Sequence, residues 1–202
     1  RATSRGTVGI RAVMSVSTPT RREEAAALRL AVRCAPHGEP DVDRRIDAAK
    51  LLLDVGDAAA ALDLATAQEA DGPGMDRLAR GRLATVAAAA AWELGRPEEF
   101  SRHAEAAVQA LTGTRSEDEV VMLAWSTVYD TRIALDGARS LARAREAVAL
   151  AEELGVAKGH AHARLASVLL TAGEPGWGAL YEQAVADADA VGGDELRLAV
   201  VN

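Results

Sequence analysis

One cysteine, two lysines and six aromatic residues in 202 positions exclude several kinds of protein at once. The lone thiol, Cys34, closes no internal disulfide. A chain of this length removes roughly 70% of its unfolded surface from water and folds without such a staple. That usage of cysteine fits a reducing, cytoplasmic setting. The longest unbroken apolar run, Val86 to Trp92, is seven residues, against the ~20 that a membrane-spanning helix requires. Positive charge is in short supply, with a formal net charge of -7, so the chain repels a phosphate backbone and no direct nucleic-acid partner is expected. Strand-forming residues are scarce too. Aromatics make up only 3% of the chain, whereas sheets draw on aromatic and β-branched side chains.

What the chain has in abundance is alanine, at 46 positions. Alanine is the best helix former and lets helix axes approach closely, so an all-α fold is expected. Apolar residues recur at helical spacing throughout. Val42, Ile46, Ala49 and Leu53 form one stripe, Ala79, Leu83, Val86, Ala90 and Leu94 a second, and Phe100, Ala104, Ala107 and Leu111 a third. Val121, Ala124, Val128 and Leu135 continue the pattern, followed by Ala161, Leu165, Val168 and Ala172, then Leu180, Ala184, Ala188 and Val191. Thr20 with Glu23, and Ser116 with Glu119, have the spacing of a reciprocal capping box. Asp41 and Asp194 suit N-caps, and Pro97 and Pro175 suit a first helical turn. Gly56, Gly95, Gly155 and Gly173 each follow an apolar stretch, as helix-ending glycines do.

The turns containing Gly56, Gly95, Gly137 and Gly173 lie 39, 42 and 36 residues apart. A period near forty with two helices per unit predicts a right-handed α-solenoid. Its pairs are expected at about 41–70, 75–112, 116–155 and 156–192, within a helical repeat domain running from 20 to 202. A truncated fifth pair opens at 194, and residues 1–19 read as a linker or fragment end.

The segments Leu94 to Phe100 and Glu146 to Gly155 resemble degenerate tetratricopeptide repeats: a helix, a glycine-containing turn, then an alanine-rich helix. Together with Ala161 to Pro175 and Val191 to Leu196, they resemble the helical sensor region of the large, ATP-binding LuxR-type transcriptional regulators of bacteria, which are related to maltose-regulator-like proteins. That resemblance implies a sensing or protein-interaction region set between an ATPase and a helix-turn-helix module. It implies ATP only for the absent flanking ATPase. No cofactor is expected in this chain, because Lys50 and Lys158 both follow alanine rather than the glycine of a phosphate-binding loop.

No catalytic residues and no metal ligands are assigned. Cys34 and His37 have a ligand-like gap but no second pair. His160 and His162 project about 200° apart on a helix. Carboxylates such as Asp187 and Asp189 show no matched partner in the sequence. Groove-binding candidates are the arginines Arg77, Arg80 and Arg82, for an anionic ligand, and the i,i+4 aromatic pair Trp125 and Tyr129, for a peptide or apolar effector. For the aromatic pair, core packing is the competing use. Arg139, Arg143 and Arg145 interleave with glutamates and read as a solvated face. The expected partner is a protein or peptide, or a small-molecule effector, with homo-oligomers open. A free-standing scaffold and an all-α enzyme subunit are the alternatives.

Overall fold

The computed structural model describes residues 42–67 and 75–191, together with Thr20, Glu23, Ala26, Ala27 and Leu30. Asp41, Asp194, the Cys34 and His37 pair, residues 1–19 and the fifth pair lie outside the described residues. At the near end, the Thr20 and Glu23 box forms: the Glu23 carboxylate accepts from the Thr20 N–H at 2.7 Å, and the Thr20 hydroxyl accepts from the Glu23 N–H at 3.3 Å.

The described residues form eight helices and no strand. They are α1 (Val42–Asp54), α2 (Ala58–Thr66), α3 (Arg77–Glu93), α4 (Pro97–Leu111), α5 (Glu117–Arg132), α6 (Gly137–Leu154), α7 (Lys158–Ala172) and α8 (Trp177–Val191). Consecutive helices pair, and the second helix of each pair begins at 58, 97, 137 and 177, in steps of 39, 40 and 40. The first helices α1, α3, α5 and α7 touch in succession and make one layer. Each second helix packs on the first helix of its own pair and on the first helix of the next. Four buried clusters fill the spaces in turn. Leu52, Leu62 and Leu83 anchor the first, Phe100 and Leu111 the second, Val120 and Ala151 the third, Leu165 and Val168 the fourth.

Alanine sets the spacing, as expected: Ala87, Ala88, Ala90 and Ala91 on α3 are all buried. Glycine brings the axes closer still at two points. A Cβ on Gly81 would sit 2.5 Å from the Leu111 side chain of α4, and one on Gly159 would sit 3.0 Å from the Ala184 carbonyl of α8.

The turns correct one element of the sequence reading. Gly56 (φ 83) and Gly95 (φ 66) are left-handed, but the equivalent residue in the third pair is Leu135 (φ 52), not Gly137, which starts α6. Leu135 therefore lies past the end of α5 rather than on its apolar face, and it is 81% exposed. Pro97 takes the first turn of α4, whereas Pro175 precedes α8 by two residues. The Ser116 and Glu119 box forms by half. The Ser116 hydroxyl accepts from the Glu119 N–H, but the Glu119 carboxylate accepts from Gly113 and Arg115 N–H groups instead, holding the loop in which Arg115 is left-handed.

Candidate functional site

The arginines of α3 are engaged separately. Arg77 donates to the Thr112 carbonyl at 2.7 Å, closing the C-terminal end of α4, and Arg80 donates to the Met75 carbonyl. Arg82 pairs with Asp118 in the first turn of α5 at 2.8 Å, and this pairing holds its guanidinium above the ordinary range. At 100° per residue Arg77 and Arg80 stand on neighbouring strips of α3 and Arg82 on the far side of the helix from both. The Arg77 contact belongs to a device that recurs along the stack. Buried Arg45 of α1 donates to the Leu64 and Ala67 carbonyls at the end of α2, and Arg115, just before α5, pairs with Glu153 in the last turn of α6. At Arg45 and Arg77 a cation from the start of a pair thus meets the electronegative carbonyl end of its second helix, where the helix dipole favours it, and Arg115 meets a side-chain carboxylate at the same place.

Trp125 and Tyr129 stand on one face of α5, as their spacing predicts, and that face meets Phe100 of α4. Both rings lie 6.3 Å from the Phe100 ring, and Trp92 lies 5.2 Å away on the third side. Four of the six aromatics thus form one cluster around a fully buried phenyl ring. Tilted rings at these separations add to the area they bury. The half-buried edges of Trp125 and Tyr129 remain accessible.

The face assigned to solvent is in part an interior one. Asp130 of α5 is fully buried, with Arg139 at 2.6 Å and Arg143 at 3.1 Å, and Arg143 also reaches both oxygens of Glu105 on α4 at 3.1 and 3.0 Å. Burial raises the Asp130 carboxyl above its ordinary value, against the pull of Arg143 and Arg139. For Arg143, burial opposes the charge, yet Glu105 and Asp130 outweigh it and hold the guanidinium high. Sequence reasoning missed this network because its members lie on α4, α5 and α6 and meet only in space. Arg145, by contrast, is exposed, as that reading had it.

A cleft of about 440 Å³ opens at the last described pair, lined by Glu152, Lys158, His162, Leu180, Gln183 and Asp187 among others. At its base the buried His162 ring donates from Nδ1 to the Asp187 carboxylate at 2.8 Å, leaving Nε2 facing Glu152 at 3.7 Å. Gln183 donates to the other Asp187 oxygen at 3.0 Å. The cleft offers a polar floor and an apolar wall, and no hydroxyl or thiol lines it. His162 and Asp187 are 25 positions apart on facing helices, so no local spacing announced them. His160 projects to the other side of α7, as the helical angle requires. Burial and the nearby Arg164 charge pull its imidazole down to about 4. No group of three or more histidine, cysteine or carboxylate side chains is placed to hold a metal among the described residues, and none of the helices described is long and apolar enough to cross a membrane.

Neither a protein-family model nor a curated protein matches the chain. Among solved structures it is similar to the crystal structure of a signal transduction ATPase with numerous domains, or STAND protein, with a tetratricopeptide repeat sensor from Pyrococcus horikoshii. The TM-score is 0.63 at 18% identity, covering 87% of this chain and 26% of that one. The chain therefore spans about a quarter of that protein's length. At this identity the likeness shows the fold, a tetratricopeptide-like helical repeat, and leaves function to be argued from the sites.

Proposed function

We propose that this chain is a non-catalytic sensing or interaction module, in which a partner protein or a small effector binds the repeat and biases its arrangement. The observation that carries the reading is the continuous layer of first helices backed by second helices, an architecture shared with a tetratricopeptide sensor. Binding surfaces are available on it: the edges of Trp125 and Tyr129, and the cleft beside His162, whose volume falls in the range of small-molecule sites; Arg77, Arg80 and Arg82, already held by protein acceptors, would have to exchange these to grip an anion. The wider setting we infer is a LuxR-type transcriptional regulator of a bacterial cytoplasm. There the ATP would bind a flanking ATPase and the DNA a flanking helix-turn-helix, with neither held by this chain.

The test is the coding sequence on either side. A phosphate-binding loop upstream and a helix-turn-helix downstream are the expected result. A gene encoding neither would overturn the regulator setting and leave a free-standing scaffold, for which capture of a defined protein partner is the next measurement.

A further inference from the structure

Single apolar residues scattered over a surface are ordinary, whereas a row of them marks a contact with something else. Along α1 to α8 the large apolar side chains that stand exposed are not scattered. Trp92 lies in the last turn of α3, Ile133 and Leu135 follow α5, Leu170 lies in the last turn of α7 and Trp177 opens α8, all between 36 and 81% exposed. Each sits at a turn inside a pair, where a first helix hands over to its second, and together they span three successive pairs. Because the first helices touch in succession, these turns share one edge of the stack and the turns between pairs share the other. The other edge carries no such side chain among the described residues. There Leu154 and Val156, at the turn between α6 and α7, pack against the third buried cluster. The exposed row is therefore a property of one edge and not of turns in general.

The charges beside the row choose its occupant. Asp54, Asp57, Glu93, Glu98, Asp136 and Glu174 stand exposed on the same edge. Of the arginines there, Arg96 is held by Glu99 and Arg139 by Asp130, which sets Arg132 against those acids. An edge that is apolar along its line and acidic beside it repels a second copy of itself and an anionic bilayer, and attracts lysine and arginine. We propose that this edge docks a basic amphipathic helix of a partner protein, its apolar stripe laid across Trp92, Leu135 and Trp177 and its flanking cations facing the carboxylates. A helix supplies that pattern on one side, with apolar residues three and four positions apart and charged residues next to them. Trp92 and Trp177, toward the two ends of the row, are of the residue type that most often anchors protein contacts. The inference deepens the interaction reading, on which it rests for the existence of a protein partner, and places that partner on the turn edge instead of the α5 aromatics or the His162 cleft.

The experiment is calorimetric titration of the 202-residue chain with a leucine–lysine peptide of amphipathic helical spacing, about five turns long. A glutamate-for-lysine analogue and a scrambled peptide of the same composition are the comparison arms. The lysine peptide is expected to bind at one per chain and at least tenfold more tightly than either. Leu135→Ser and Trp177→Ser are each expected to weaken it at least fivefold, as is Glu93→Gln combined with Glu174→Gln, whereas Glu117→Gln, on the opposite edge, leaves it unchanged. If Trp177→Ser does not fold, Leu135→Ser and the double glutamine variant decide. No binding of the lysine peptide overturns the proposal. Binding that every edge variant retains also overturns it while leaving a partner elsewhere on the repeat, so its failure is distinct from that of the interaction reading. Two further results overturn it in favour of another occupant: a dimer of the chain that Leu135→Ser disperses assigns the row to a second copy, and sedimentation with phosphatidylglycerol vesicles that Leu135→Ser abolishes assigns it to a membrane.

Discussion

Leu135 occupies a backbone conformation that Gly56 and Gly95 take at the equivalent turns. A side chain there costs roughly 1–2 kcal/mol, from the clash of Cβ with the following carbonyl, and the exposed leucyl group contributes no burial to offset it. Leu135→Gly is therefore expected to stabilise the chain by about 0.5–1 kcal/mol once the entropy of glycine is subtracted, read as a rise of roughly 1–4 °C in Tm. The sequence disclosed the turn but not its hinge residue, because Gly137 two positions on drew the eye to the wrong place in the repeat. His160 carries a second residue-scale expectation. Its folded pKa, about 4, lies below the ordinary value of 6.5, so the unfolded chain binds the proton more readily. Stability is then complete above pH 6.5 and falls as pH drops from 6.5 toward 4, by on the order of 2–3 kcal/mol in total. The difference between wild type and His160→Gln in urea melts across that window measures it, and equal slopes would show that burial does not hold the ring neutral.

At the scale of the helix, glycines of one chemical kind do opposite work. Gly178, near the start of α8, faces open space, while Gly81, inside α3, meets Leu111 of the adjoining helix. Gly178→Ala is expected to add about 0.5 kcal/mol through helix propensity. Gly81→Ala gains the same preference but forces Leu111 aside in a filled core, a cost of about 1–3 kcal/mol that wins. Paired chemical denaturation of the two variants reads the contrast. Helix existence and order were legible in the sequence because apolar spacing and caps are local signals. Which glycine admits a neighbouring helix is a property of the other helix, and nothing within α3 records it.

Across the whole molecule, the Glu105, Asp130, Arg139 and Arg143 network fastens the second pair to the third. Removing a buried partner strands the charge it balanced, so Asp130→Ala is expected to cost about 3 kcal/mol. Adding Arg143→Met should recover much of the loss, and a double-mutant cycle on thermal melts checks that coupling. The candidate sites were less legible than the fold for the same reason as this network. Arg77 and Arg82 look alike in sequence to Arg145, and only the packed structure separates a guanidinium that has found an acceptor from one exposed to solvent. The layering has a mechanical meaning as well. Since α2, α4, α6 and α8 rest on first helices and make no substantial contact with one another, that side of the stack has few bonds to stretch when the array bends. Resistance to bending resides where each second helix is wedged against the first helix of the next pair, and the molecule should yield like a spiral spring.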